Sequence, residues 1–229
     1  MSTTFLDPEY WDVYVSSSAL LSILGPIIEN YNKETGGILI GSLGREWIEG
    51  ENRPIIKVHS AFPSITAKAT GSKWEPNVPA FKRMKGFAKA YSLEILGEYH
   101  SHPNGLAELS EGDEDYIIER HAKKMDATKS YILLDNEDDE IENDYLSWVE
   151  IIIKIVKKSY ANTQKPSGKF WVPSNSNKLR GTIKIGNKQG FDITIAASAY
   201  MANPDDEEGY FEEIGVFTEI SSSYEGRKI

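Results

Sequence analysis

Apolar and polar residues follow one another along the 229-residue chain with both helical and strand periods. Leucines and isoleucines recur at helical spacing in residues 16–30 behind a run of serines, and a similar pattern follows a proline in residues 79–91. A third helix is predicted to begin at Ser110. These three segments are the predicted helices.

Runs rich in β-branched and aromatic residues predict the strands, which are expected at residues 10–15, 36–41, 54–62, 93–102, 131–134, 145–157, 181–185 and 191–201. Because helices and strands are interspersed in the first half of the chain, the pattern predicts a mixed α/β fold. Residues 210–220 fit either a further strand or a docking segment.

Two connecting segments differ in kind. Residues 44–52 are expected to hold the turn of a hairpin between strands 36–41 and 54–62. Residues 64–77 are too many for a plain connection, and loops of this length often bind a ligand or partner. The lone tryptophan of this loop, Trp74, is interpreted as local packing rather than as a binding anchor.

Composition limits the classes of function. A chain with 40% hydrophobic residues suffices for one substantial core, so one domain is the default. The formal net charge of −10 argues against nucleic acid as a partner, because phosphate recognition needs clustered cations. Since the chain has no cysteine, any metal would rest on histidine and carboxylate side chains.

Targeting signals are not evident in the sequence. The first residues lack a basic stretch followed by an apolar one, and no apolar run approaches the roughly 20 residues that span a bilayer. We therefore expect a cytoplasmic protein that has no membrane partner.

The most informative stretch lies at the end of the predicted strand 93–102. Alternate side chains of a strand point to the same face, so His100 and His102 project together, about 7 Å apart along the backbone. A six-residue loop after Pro103 leads to Ser110, whose hydroxyl can cap the third helix. Asp113 lies one turn into that helix, where it can point back toward the histidines.

Two imidazoles and one carboxylate suit zinc and leave a fourth position for water, which is typical of catalytic rather than structural zinc sites. A hydrolytic site also needs a base, and Glu34 precedes the predicted strand 36–41. In this hypothesis Glu34 moves a proton from water to the leaving amine, and Ser110 donates a hydrogen bond to the oxyanion. The adjacent Gly36 and Gly37 are expected to let a substrate backbone approach closely.

Glu34 followed by Thr-Gly-Gly, and His-Ser-His-Pro with six residues before Ser-x-x-Asp, resemble the JAB/MPN (JAMM) metalloprotease family at every motif position. The resemblance implies an α/β fold with a curved mixed β-sheet flanked by helices, similar to the cytidine deaminase architecture. It also implies one Zn²⁺ per chain, held by His100, His102 and Asp113, with Glu34 as the base and Ser110 as the oxyanion stabiliser.

The same resemblance implies a zinc isopeptidase that removes ubiquitin or ubiquitin-like proteins from lysines. Its compact layout is most similar to the prokaryotic branch, whose members act in bacterial ubiquitin-like conjugation and antiviral operons. Expected partners are therefore a ubiquitin-like protein, its conjugates and the cognate conjugation enzymes. The C-terminal tail of the modifier is expected to add as a strand beside residues 36–41.

The domain organisation is predicted from the same comparison. The likeness extends over residues 10–134 by element order, and further strands follow it. We predict a single catalytic domain over residues 1–202, in which residues 145–202 form a strand extension, and an acidic tail over residues 203–229.

Other interpretations remain open. The site could serve a zinc amidohydrolase that acts on small peptides or carrier-protein adducts, or the domain could be a non-catalytic MPN-type scaffold. Ser-x-x-Asp on its own is more often a capping box than a metal site. Glu98, two residues before His100, is the rival candidate for the base. His59 and His121 have no motif partner and are interpreted as ordinary strand and helix residues.

Overall fold

A computed structural model describes residues 12–48, 51–122, 145–173, 176–202 and 209–224. The helices within these ranges are α1 (Ser17–Glu29), α2 (Val78–Ala90) and α3 (Glu111–Ala122). The strands are β1 (Asp12–Val15), β2 (Gly36–Ile48), β3 (Glu51–Pro63), β4 (Lys68–Ala69), β5 (Trp74–Glu75), β6 (Glu94–Pro103), β7 (Tyr145–Ser159), β8 (Ser167–Val172), β9 (Leu179–Gly186), β10 (Gln189–Ala202), β11 (Tyr210–Thr218) and β12 (Ser221–Tyr224).

The helices begin where capping side chains predict them to begin. The hydroxyl of Ser16 accepts a hydrogen bond from the Ala19 amide at the start of α1, and the side chain of Asn77 accepts one from the Ala80 amide at the start of α2. None of the three described helices has the length and apolar character that crossing a bilayer requires.

One sheet of ten strands carries the fold, in the order β11-β1-β3-β2-β6-β7-β10-β9-β8-β12. Most neighbours are antiparallel, but β6 pairs in parallel with β7, β12 with β8, and β1 with both β11 and β3. The mixed α/β class predicted from the sequence is therefore confirmed.

The sheet differs from the curved mixed sheet that the family resemblance implies, because it closes on itself. β10 is 14 residues long and pairs with β7 along one edge. On its other edge it pairs first with β9 and then, from Ala197 to Met201, with β11. Since β11 also pairs with β1, seven strands form a closed ring. The closure arises because β10 continues past the end of β9 and offers β11 an edge.

The predicted hairpin is present, but its strands are longer than expected. β2 and β3 pair from Gly37 with Pro63 to Ile48 with Glu51, so the region predicted as the turn is mostly strand. The polar residues of this region interrupt the apolar pattern from which the strands were predicted. Strand pairing nevertheless continues through them, because it depends on backbone hydrogen bonds and not on apolar side chains.

The prediction that the tail of the modifier adds as a strand beside residues 36–41 is wrong, because that part of β2 is already paired on both of its edges. β3 occupies one edge and β6 occupies the other. A substrate tail therefore finds no open backbone edge at this position.

The main core lies on one face of the sheet, and the site lies toward the other. Tyr99 and Leu39 point into the large cluster that includes the buried side of α1. Ile38 and Ile40 point to the opposite face, where they pack against Phe81 and Ala88 of α2. The alternation of side chains along β6 consequently directs Glu98, His100 and His102 away from the main core.

Several further sequence predictions concern the later strands, a long loop and the domain division. Residues 210–220 contain strand β11, and the loop 64–77 carries the short ribbon of β4 and β5. The strand expected at residues 131–134 lies outside the described residues. The division into a catalytic domain over 1–202, with its strand extension, and an acidic tail over 203–229 stays a prediction.

The contact between β6 and β7 depends on a glycine, which gives a test of the fold. A Cβ at Gly97 would lie 1.7 Å from the carbonyl oxygen of Val149, whereas a Cβ at Gly86 in α2 would meet nothing within 4 Å. We expect Gly97→Ala to lower the free energy of unfolding by about 3 kcal/mol. The control Gly86→Ala should raise it by about 0.5–1 kcal/mol. Urea unfolding measures both values, and an unchanged midpoint for Gly97→Ala would contradict the β6–β7 packing.

Candidate metal centre

Three predicted ligand side chains converge at the end of β6. The Nε2 atoms of His100 and His102 lie 3.0 Å apart. Asp113, in the first turn of α3, places Oδ1 3.3 Å from Nε2 of His100 and Oδ2 3.5 Å from Nε2 of His102. The donor atoms of the three residues all lie within 4.8 Å of one another.

This spacing fits a divalent metal ion. Zinc binds histidine nitrogen and carboxylate oxygen at about 2.0–2.2 Å, so neighbouring donors of a tetrahedral site are about 3.3 Å apart. The two imidazole nitrogens lie 3.0 Å apart, and each has a different oxygen of Asp113 at 3.3 or 3.5 Å, so the closest separations are near that value. Within the described part of the chain, three side chains converge here, so a tetrahedral ion held by them would have one position left for another ligand.

Each histidine is oriented through its other ring nitrogen. Nδ1 of His100 lies 3.0 Å from Oε1 of Glu150 on β7, and Nδ1 of His102 lies 3.0 Å from the carbonyl oxygen of Leu106. Both acceptors favour the tautomer with the proton on Nδ1, which would leave Nε2 free to bind a metal ion.

The sequence analysis did not single out Glu150. The sequence feature that could have identified it is an isolated acidic residue inside an otherwise apolar stretch of strand.

Ser110 and Asp113 form a reciprocal cap at the start of α3. The Ser110 amide and hydroxyl donate hydrogen bonds to Oδ2 of Asp113 at 2.9 and 2.6 Å, and the Asp113 amide donates to the Ser110 hydroxyl at 3.3 Å. This is the pattern of a capping box. The same aspartate also faces both histidines, so the capping and the metal-site interpretations apply together.

Glu34 is held beside this group by two backbone links. Its amide donates to the carbonyl oxygen of Thr70 at 2.7 Å. The next residue, Thr35, donates its amide to the Ser101 hydroxyl at 3.0 Å and accepts from the Ser101 amide at 2.8 Å. Ser101, the residue between the two histidines, therefore connects the segment before β2 to β6. The sequence analysis gave Ser101 no role.

Glu34 and Glu98 are both acids that line the pocket beside the ligand group. Burial raises the pKa of Glu34, the charges of His100 and His102 lower it, and that of Asp113 raises it, with a net upward shift. Glu34 thus interacts with all three ligands. Glu98 is buried and lines the same pocket, directly before His100 on its strand face.

The ligand cluster is itself strongly polarised. Burial by itself would lower the pKa of His100, but hydrogen bonds to Asp113 and Glu150 raise it to about 10. Burial would likewise raise the pKa of Asp113, yet hydrogen bonds from His100, His102 and Ser110 hold it well below its usual range. The cluster therefore favours positive charge at its centre, as a cation site does.

The cluster opens into a pocket of about 940 Å³ whose wall includes Trp74. The Trp74 ring is parallel to that of His100, with centroids 6.2 Å apart. A Cβ at Gly36 would lie 2.8 Å from the indole, and one at Gly37 would lie 2.2 Å from the carbonyl oxygen of Phe62. The expectation that these glycines admit a substrate backbone is therefore wrong, because the chain's own atoms fill the space.

Metal content tests the ligand assignment. We expect His102→Ala to reduce bound zinc from about one ion per chain to nearly none, because two remaining ligands do not hold the ion. His59→Ala is the matched control, since His59 lies on β3 and pairs instead with the Ser42 hydroxyl at 2.9 Å. Elemental analysis after gel filtration measures both. Equal zinc in the two variants would rule out this centre.

Glu34→Gln tests the burial of Glu34. Burial raises the pKa of Glu34 in the folded state. The protonated Glu34 side chain therefore contributes stability below the ordinary pKa of glutamate, and this contribution is lost as the pH rises through the folded-state pKa. We expect the metal-free variant to melt at a higher temperature than the metal-free wild type at pH 7, with the difference disappearing near pH 4. Calorimetry measures this difference, and a lower melting temperature at pH 7 would contradict the assignment.

Comparison with known proteins places these features in context. The family model described as prokaryotic homologs of the JAB domain matches residues 17–145. No curated protein matches the sequence. Among solved structures, the chain is similar to the solution structure of protein DSY2949 from Desulfitobacterium hafniense, with 12% identity and a TM-score of 0.45 over 90% of this chain and 92% of that one. Since the family match spans more than half of the chain, the protein belongs to the prokaryotic JAB-domain family.

Proposed function

We propose that this protein is a zinc-dependent isopeptidase that hydrolyses the bond after the C-terminal glycine of a ubiquitin-like protein. The supporting observation is the convergence of His100, His102 and Asp113 within 4.8 Å, with Glu34 in the same pocket. Family membership supports a peptidase or isopeptidase reaction. Zinc, when bound, supplies a Lewis acid that polarises the scissile carbonyl.

The protein side chains divide the remaining work. Glu34 takes a proton from the attacking water and passes it to the leaving amine, and its raised pKa brings it closer to the range suited to both steps. The Ser110 hydroxyl, which donates to Asp113 in this structure, turns toward the carbonyl oxygen as negative charge develops there. Buried Glu98 lines the same pocket beside His100.

The prokaryotic family supports a bacterial ubiquitin-like modifier as the substrate. Its conjugates and the enzymes that form them would be the partners of this protein, in a conjugation or antiviral operon. The acidic chain, with a net charge of −10, gives no electrostatic footprint for nucleic acid.

A second candidate function follows from the size of the pocket. Its volume of about 940 Å³ lies within the range of about 300–1,000 Å³ that is typical of small-molecule sites. A zinc amidohydrolase acting on small peptides or carrier-protein adducts would use the same metal ligands and the same base.

A cleavage assay tests the proposed mechanism. With an isopeptide-linked conjugate of a ubiquitin-like protein, we expect Glu34→Gln to lower kcat by about 10²–10⁴-fold, because the proton transfer is lost, while conjugate binding persists. His102→Ala should abolish turnover, and His59→Ala should retain it. Turnover that survives in both Glu34→Gln and His102→Ala would defeat the mechanism.

The choice of substrate separates the alternatives. If conjugates of several ubiquitin-like proteins stay intact while small amides or carrier-protein thiocarboxylate adducts are cleaved, the second candidate is correct. Wild-type protein that holds no zinc would instead favour a non-catalytic scaffold.

A further inference from the structure

Glu150 is a buried acid in an unfavourable position. It lies in β7 between Val149 and Ile151, and only 4% of it is exposed. A carboxylate with so little exposure to solvent destabilises a fold unless a partner compensates its charge. Its presence in the middle of an apolar strand therefore calls for a specific interaction.

That interaction is with a metal ligand. Oε1 of Glu150 lies 3.0 Å from Nδ1 of His100, and each of the two side chains is 6% exposed. The parallel register of β6 and β7 sets this contact, because it pairs Glu98 with Glu150 and His100 with Ile152. The Glu150 carboxylate thus contacts one side of the His100 imidazole, and the ligand cluster lies at its other side.

The two histidines differ in the charge of the group that contacts their Nδ1 atom. His102 has a backbone carbonyl, that of Leu106, at its Nδ1, whereas His100 has a carboxylate. A carbonyl orients the ring, but an anionic acceptor also increases the electron density that the ring offers through Nε2. The two histidines belong to one motif, yet only His100 has a charged side chain as the partner of its Nδ1.

Water has little access to the carboxylate–imidazole contact. The indole of Trp74 is parallel to the His100 ring, at an interplanar angle of 1°. A hydrogen bond in such a dry environment is stronger electrostatically than the same bond in water. The partly exposed carboxylate of Asp113 and the buried one of Glu150 together would also balance the two positive charges of a divalent ion.

We propose that Glu150 is a positioning residue of the metal centre, which fixes the tautomer of His100 and strengthens its bond to the ion through its negative charge. This inference rests on the proposed function in one respect, because it assumes that His100 is a zinc ligand. It assigns no contact between Glu150 and the substrate.

Zinc affinity tests the proposal independently of catalysis. In a competition with a chelator, we expect Glu150→Gln and Glu150→Ala to weaken zinc binding by about 10–100-fold. Glu75→Gln is the matched control, since Glu75 lines the same pocket but pairs with Lys73 at the surface. Its affinity should stay within about twofold of wild type. Affinity within about twofold in Glu150→Gln, when that variant is folded, would overturn the role of the charge.

A measurement on the wild type covers the case in which the variants do not fold. In the zinc-loaded protein, imidazole NMR should show His100 protonated at Nδ1, with a downfield proton resonance in slow exchange with solvent. A spectrum in which Nε2 carries the proton would overturn the inference. If wild type binds no zinc, the proposed function fails, whereas tight zinc binding that does not depend on Glu150 removes only this inference.

Discussion

The position of β6 between β2 and β7 is the constraint on which the centre depends. β6 carries both histidines, β2 begins just after Glu34, and β7 carries Glu150. Backbone hydrogen bonds fix the register on each side, so side chains from three distant parts of the chain meet at one end of the strands. Only Asp113 comes from a helix, and its approach is set by the cap that it forms with Ser110.

The centre combines elements that oppose folding with elements that support it. Glu34 is an acid whose burial makes its charged form unfavourable, and Glu150 is another acid inside an apolar strand. The cap at α3 and the links between Thr35 and Ser101 stabilise the same region. Residues that are costly to bury therefore sit on a well-connected frame, which is the usual arrangement of functional sites.

The sequence predicts the ligand group better than it predicts the environment of that group. His100, His102, Ser110 and Asp113 lie within 14 residues, so strand alternation and capping chemistry suffice to bring them together. Glu150 reaches His100 only through the pairing of β6 with β7, which no local pattern specifies. The closing of the sheet has the same origin, because it depends on how far β10 extends beyond β9. The glycines after Glu34 were misinterpreted because the atoms that fill their space, in Trp74 and Phe62, lie elsewhere in the sequence.

The family match ends at residue 145, and β7 has only just begun there. The matched segment thus contains every proposed ligand and the proposed base, but Glu150, which contacts His100, and the strands that complete the ring belong to the remainder. Selection acting on that remainder could retune the metal centre without exchanging a single ligand. Relatives with identical motifs could consequently differ in how tightly they retain the ion, according to what their seventh strand presents at this position.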